Sequence, residues 1–440
     1  MVRRTRGLSR GEFLKLGGAG LAGATLLGIA GCGGGGQQGG GEVIRFFTGT
    51  AETTAQEKAQ IEIQVDRFQE QHPKYTLERE AIPTESLRDV IQTRLQSDNP
   101  PDVFTYDTGP GFGGVLADAG LLRSLEDAYK DRGWDIYDWA KQRATYNGTT
   151  FGVPVQVEEI VVYYNKSLVP EPPQTVDELR QIADDLKGQD IIPFAFGDQE
   201  QWPAGHIFSI GASNVLGREG LDEIFYGNGR WDTPEIIAAI DLMFRQFVEN
   251  GYYPEGVNAI TYDDANNLFY SGQAAMNPTG TWLVPTIVES VQDFEVGFFP
   301  FPSIDGSSIA PPAGVGAGYF VAKNAKSPEG AITFIDYMLQ ESTERLAMEK
   351  FNTIPAHPVD TGGLDVPELF KQVLADLAQE GQSESFGYNI DVLAPQNFNE
   401  VMFTGFQEVL NGSRSAEEQA TALQEAWAEA KRQGNLVTQE

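Results

Sequence analysis

Short runs of β-branched and aromatic residues at 43–47, 75–82 and 102–106 predict three strands early in the chain. Between them the apolar positions switch to helical spacing. Ile61, Val65 and Phe68 share one face of a helix predicted over 56–71, and Val90, Ile91 and Leu95 share one over 84–97. Strands alternating with helices predict an α/β fold with mostly parallel sheets covered by helices. The same grammar returns further along. Thr175 and Glu178 have capping-box spacing ahead of Leu179, Ile182 and Leu186. Thr233, Pro234 and Glu235 open a helix whose stripe Ile236, Ile240, Met243 and Phe247 runs to Gly251. Ser327-Pro328-Glu329 begins a third helix, and Ser415 with Glu418 begins a fourth that carries Leu423 and Trp427. Stripes of this kind are core faces first and cofactor sites only with further support.

The first forty residues break this pattern. Arg3, Arg4, Arg6, Arg10 and Lys15 precede an apolar, glycine-rich segment at 16–31, the order of a secretion signal. That segment falls short of the roughly 20 residues that span a bilayer. Ile29, Ala30, Gly31 and Cys32 resemble the lipobox of bacterial lipoproteins, so Cys32 is expected to carry lipid and become the mature N-terminus. It is the single cysteine of 440 residues, which leaves no internal disulfide and no cysteine-ligated metal. The segment "SRGEFLK" is similar to the twin-arginine export motif, but Gly11 stands where its second arginine belongs, so Sec and Tat routes both stay open. Residues 33–41 then form a glycine-rich tether.

The charge narrows the partners. Formal net charge is −32, and it becomes −36 once the five basic residues and one acidic residue of 1–31 are removed. Such a surface repels nucleic acid and anionic lipid. Lipid alone must therefore hold the protein, at about 0.8 kcal/mol per buried CH₂. With 41% hydrophobic residues, the chain beyond the tether is long enough for two lobes with their own cores.

Catalytic signatures are missing. His72, His206 and His357 stand apart, without HExxH or other metal-ligand spacing. There is no GxSxG elbow and no GxxxxGK[ST] loop, and "GVGAGYF" from Gly314 departs from GxGxxG. Among 63 acidic residues a pair of carboxylates can always be nominated as acid and base, so such a nomination has no specificity.

Several ordered segments carry a resemblance instead: "NPPDVFTYD" from Asn99, "GLLRSL" from Gly120, "YNGTTFGVPVQVEEIVVYYNKSLV" from Tyr146, "PQTVDELRQIADDLK" from Pro173, "FYSGQAAMNPTGTW" from Phe269, "VGFFPFP" from Val296 and "SPEGAITFIDYML" from Ser327. In this order and spacing the chain resembles the extracellular solute-binding lipoproteins of ABC importers, the sugar and oligosaccharide family that includes maltodextrin binders. The resemblance implies a two-lobed, type II periplasmic-binding-protein-like α/β fold, each lobe a mostly parallel sheet flanked by helices, with a ligand cleft between the lobes. It divides the chain into a signal peptide (1–31), lipidated cysteine and tether (32–41), lobe 1 (42–155 plus 302–356) and lobe 2 (156–301 plus 357–440). Crossings between lobes are expected near 153–159, 298–302 and 354–360. The implied activity is capture of a carbohydrate by hinge closure and delivery to the permease subunits, by a monomer that is not an enzyme and needs no cofactor or metal.

A pyranose presents an apolar C–H face and a rim of hydroxyls, and so calls for aromatic plates with carboxylates or amides at their edge. By resemblance, Trp282 is the stacking aromatic and Glu158 the cleft carboxylate, with Glu159 its rival because alternation turns only one of the two inward. Tyr106 and Asp107, at the end of the third strand, and Thr48, after the first, belong where parallel strands bind ligands. Trp202 is a second candidate plate, and Tyr319 and Asn352 resemble positions bordering the cleft. Other readings stay open: the scaffold hosts polyamines, iron and peptides as well, and a surface glycoside hydrolase is a further alternative. Tyr163 and Tyr164 are similar to the paired tyrosines of iron binders, but strand alternation points them to opposite faces.

Overall fold

The computed structural model describes residues 41–434 apart from 52, 305, 307–309 and 384–385. The expected signal peptide, Cys32 and the tether up to residue 40 lie outside the described residues. Thirteen strands are described: β1 (Glu42–Gly49), β2 (Tyr75–Ile82), β3 (Val103–Asp107), β4 (Thr145–Tyr146), β5 (Thr149–Thr150), β6 (Gly152–Pro154), β7 (Glu158–Asn165), β8 (Ile192–Phe194), β9 (Ala274–Gly280), β10 (Val296–Phe299), β11 (Pro312–Gly314), β12 (Ala317–Val321) and β13 (Gly387–Tyr388). Two sheets hold all but the β4–β5 ribbon. The first has order β2-β1-β3-β12-β6; the second has order β13-β11-β7-β9-β8, with β10 also on β7.

Each sheet is parallel except for one strand. β12 runs against β3 and β6 in the first, and β7 runs against β9, β10 and β11 in the second. Helices cover both faces, so the strands are apolar on both sides. In β1, Phe46 packs beneath Phe334 while its neighbour Phe47 packs with Ile91 and Phe104. In β7, Ile160, Val162 and Tyr164 enter one core, and Val161 and Tyr163 enter another.

The helix over Thr54–Gln71 differs from its sequence pattern. Its middle, Ile61–Arg67, is a π-helical stretch. Bonding to i+5 widens the turn and rotates the faces, so Ile61 is 40% exposed while Ile63 and Phe68 are fully buried. Ser415 and Glu418 close a reciprocal capping box. Thr175 caps the Glu178 N–H, but the Glu178 carboxylate accepts from Gln174 N instead, one residue further out.

Three segments join the sheets. Residues 155–157 link β6 to β7, and residues 315–316 link β11 to β12. Residues 353–356 run beside the first of these: Val157 N donates to Ile354 O at 2.7 Å, and Gln156 pairs with Pro355. The return crossing expected at 298–302 is displaced to 315–316. β10 stays on β7, and Asn214 fastens the chain that follows, donating to Phe301 O and Pro302 O and accepting from Ile304 N. β11 then pairs with β7 before the chain leaves the second sheet, so residues 302–304 and 310–314 run with lobe 2 rather than lobe 1.

Candidate ligand site

The first sheet ends at the site with a fixed ion pair. Asp107, the last residue of β3, receives Arg88 Nε at 2.8 Å and Nη2 at 2.9 Å, a two-pronged contact between half-buried partners. Thr48 is buried, and its hydroxyl meets the Thr105 hydroxyl at 2.7 Å. Thr48, Thr105, Tyr106, Asp107, Gln156 and Tyr319 help line a pocket of ≈ 280 Å³. Burial raises the Tyr106 phenol above its ordinary range, keeping it neutral.

Tyr319 is a wall of this pocket through a ring that belongs to the core, between Phe46 and Phe334 at 6.2 and 5.9 Å. Asn352 is placed as a helix terminator. It sits at φ +53° after the helix Glu341–Phe351 and turns its amide back to Met348 O at 3.2 Å. Its neighbours Phe351 and Thr353, not Asn352 itself, border the pocket.

The first crossing brings in the carboxyl groups. Glu158 accepts from the Gln156 amide and lies against Gly316, where a Cβ would stand 2.1 Å from Glu158 Oε2. Burial raises its pKa to about 7; the charges of Asp107 and Asp391 add to this, and the hydrogen bonds from Gln156 and Gly316 oppose it. Glu159 faces the other way and is 1% exposed, its backbone N–H held by Thr281 Oγ1 at 3.1 Å. Asp391 is 6% exposed, and its Oδ1 has no hydrogen-bond partner. Burial raises it too to about 7, with Arg88 pulling down and Asp107 pushing up.

The aromatic candidates converge. Trp202 and Trp282 both pack on His206, with ring centroids 5.0 and 5.1 Å away. Tyr262 completes the group: its ring is 4.5 Å from that of Trp202, and its hydroxyl accepts from Trp282 Nε1 at 2.9 Å. Two local features set these rings. Gly280 leaves room for Trp282, since a Cβ there would stand 1.8 Å from the indole. Gln201, at φ +72°, breaks the chain direction just before the helix Trp202–Phe225, whose early N–H of Ala204 donates to Asp198 Oδ1. His206 is buried, and desolvation, helped by the Arg88 charge, lowers its pKa to about 3, so it is neutral at physiological pH.

The structure therefore sets Thr48, Tyr106 and Asp107 along one pocket, packs Trp202 and Trp282 together, brings Glu158 within electrostatic reach of Asp107, and adds Arg88, His206, Tyr262 and Asp391 to these groups. None of these four sits in a motif, and each reaches the cleft only through tertiary packing. The combination offers flat apolar faces beside carboxyls that accept or donate hydrogen bonds. Among the described residues no group of histidine, cysteine, aspartate and glutamate could hold a metal ion, and no helix is long and apolar enough to cross a membrane.

Comparison with known proteins agrees with this geometry. The model of the family described as bacterial extracellular solute-binding protein matches residues 51–344. An uncharacterized ABC transporter extracellular-binding protein of Pyrococcus horikoshii is 26% identical over 60% of this chain and 59% of its own length. A multiple sugar-binding protein of Streptococcus mutans is 24% identical over 80% of this chain and 84% of its own. This chain thus spans less than two thirds of the first relative and most of the second. Among solved structures, a chitin oligosaccharide binding protein shares the fold at TM-score 0.77 and 22% identity, covering 89% of this chain and 99% of its own.

Proposed function

This chain belongs to the bacterial extracellular solute-binding family, and from that premise we propose that it is the binding component of an ABC importer that captures a carbohydrate. One observation carries the reading: two indoles and a phenol pack around His206, and the Arg88 and Asp107 charges that act on His206 and on the buried carboxyls Glu158 and Asp391 tie these groups to the same region. Indole faces suit the C–H face of a pyranose, and the carboxyls suit its hydroxyls. Carboxyls poised near pH 7 both donate and accept, which fits neutral hydroxyls better than the fixed ammonium groups of a polyamine.

Closure of the two lobes about the segments 155–157, 315–316 and 353–356 would complete the site, each lobe contributing one wall. No chemical step is needed, and the protein acts as a binder rather than an enzyme. Cys32 would carry the lipid anchor, the tether would give reach, and the permease subunits would read the closed form.

Thermal-shift titration against panels of oligosaccharides and polyamines tests the ligand class. A ligand at 100 times its Kd stabilises by about 2.7 kcal/mol. A shift with a sugar and none with polyamines is expected; the reverse would overturn the proposal.

A further inference from the structure

A second cavity, of ≈ 610 Å³, lies on the far face of the crossing segments. Along the first crossing Gln156 and Glu158 turn toward the ligand cleft, and Val157 between them turns into this cavity, as alternation requires. Ile354, Pro355 and Gly314 continue its floor, so it is walled off from the cleft by backbone. The volume suits a small organic molecule.

Its charge is opposite to that of the protein. In a chain with 63 acidic residues, no acidic residue among those described lines it, yet Arg143 and Arg218 both do. Arg218 is committed to Asp222, at 3.1 and 3.2 Å, and Asp222 also accepts from the Tyr388 hydroxyl at 2.6 Å. Arg143 has no such partner. It is 6% exposed, its Nη1 donates only to the Tyr226 hydroxyl at a long 3.4 Å, and its guanidinium stands 5.4 Å from the Tyr388 ring. No described carboxylate lies within ion-pair distance of it. A guanidinium buried without a counter-charge is costly, and an anion entering the cavity would relieve that cost. Around it the walls are apolar: Leu374 and Leu377 on one side, and at the mouth Tyr137, stacked on Trp139 at 6.3 Å, with Phe386 beyond.

We propose that this cavity is a second ligand site, taking a small aromatic carboxylate whose carboxylate pairs with Arg143 and whose ring lies among Trp139, Phe386 and the leucines. The proposal stands independently of what the front cleft binds.

Calorimetric titration of the protein with 2-naphthoate, and in parallel with the neutral 2-naphthol, tests it. One saturable site per chain is expected, with 2-naphthol at least tenfold weaker. Arg143→Gln should weaken 2-naphthoate at least tenfold, and Arg143→Lys should restore part of the loss. Val359→Trp, at another lining position, fills the cavity without touching the charge and should block binding in a protein that still unfolds cooperatively, and keeps the test open if Arg143→Gln fails to fold. Trp282→Ala should leave 2-naphthoate binding unchanged. Equal affinity for 2-naphthol, undiminished binding by a folded Arg143→Gln or Val359→Trp protein, or loss of binding in Trp282→Ala would each overturn the proposal.

Discussion

Replacing Glu158 by glutamine should stabilise the ligand-free protein at pH 8 and leave it nearly unchanged at pH 5. Burial, first among the causes, raises this carboxyl from 4.5 to about 7, so the folded state keeps a proton that the unfolded chain releases. The stability held by the proton is complete below the unfolded pKa and is lost as pH rises through the folded one, a window from about 4.5 to 7. At about 1.36 kcal/mol per pKa unit the loss is roughly 3 kcal/mol, an upper bound because the side chain is only partly shielded from water. For about 400 ordered residues the unfolding entropy is on the order of 0.8 kcal/mol/K, which converts this to at most about 4 °C in Tm. Scanning fluorimetry of both proteins at pH 5 and pH 8 reads it as a difference of differences. Bulk repulsion in a chain of net charge −32 acts on both proteins alike and cancels to first order, whereas the Asp391 charge repels ionised Glu158 and adds to the gap at the higher pH. The variant's advantage should appear only at the higher pH. A gap of equal size at both values, or a variant less stable at pH 8, would refute the placement of Glu158 in a desolvated, acidic cleft.

Three further outcomes are expected. Trp282→Ala should cost roughly 2–4 kcal/mol of ligand affinity by calorimetry if the indole is a stacking plate; unchanged affinity removes it from the site. Asn352→Ala should be less stable than Asn352→Gly by about 1–2 kcal/mol in thermal unfolding, because both lose the amide contact with Met348 O and only glycine holds the αL conformation without a steric cost. A change in ligand affinity in either variant would return Asn352 to the cleft. Cys32→Ser should leave the fold intact and move the protein from the membrane fraction to the soluble one, and continued sedimentation with membranes contradicts the anchor.

Much of the scaffold was legible because it is local. Leu179 and Leu186, or Ile91 and Leu95, are buried where their spacing puts them, and Ser415 caps its helix as its sequence predicts. Ile61 was misplaced because a π-helical stretch has no strong sequence signature and shifts the face by part of a turn. The return crossing was misplaced because Asn214, some ninety residues earlier, holds residues 301–304 against lobe 2. Long-range hydrogen bonding of that kind leaves no periodicity to read. The site divides in the same way. Strand alternation required one of Glu158 and Glu159 to face away, but the face each takes depends on which core β7 enters. Arg88, His206, Tyr262 and Asp391 come from four separate segments, and only folding brings them near Trp202, Trp282 and Glu158.

The Arg88–Asp107 pair also changes what the sequence candidates mean. Asp107 ends a strand at the expected place, yet both its oxygens are taken by one guanidinium. A ligand hydroxyl would use the lone pair that each oxygen keeps beside this charge-assisted contact, so Arg88 restricts the side from which it can approach. Asp107 lines the pocket and also fixes Arg88, whose charge in turn pulls Asp391 down and helps keep His206 neutral. Under the proposed function Glu158 and Asp391 are the carboxyls that would meet the ligand, one supported by Gln156 and Gly316, the other with a buried oxygen lacking a hydrogen-bond partner. Their desolvation is a cost borne by the empty cleft, and a polyol that donates to both relieves it on binding. A site built this way draws affinity from groups left underbonded in the ligand-free protein, beside aromatic faces that supply contact area with little loss of side-chain freedom.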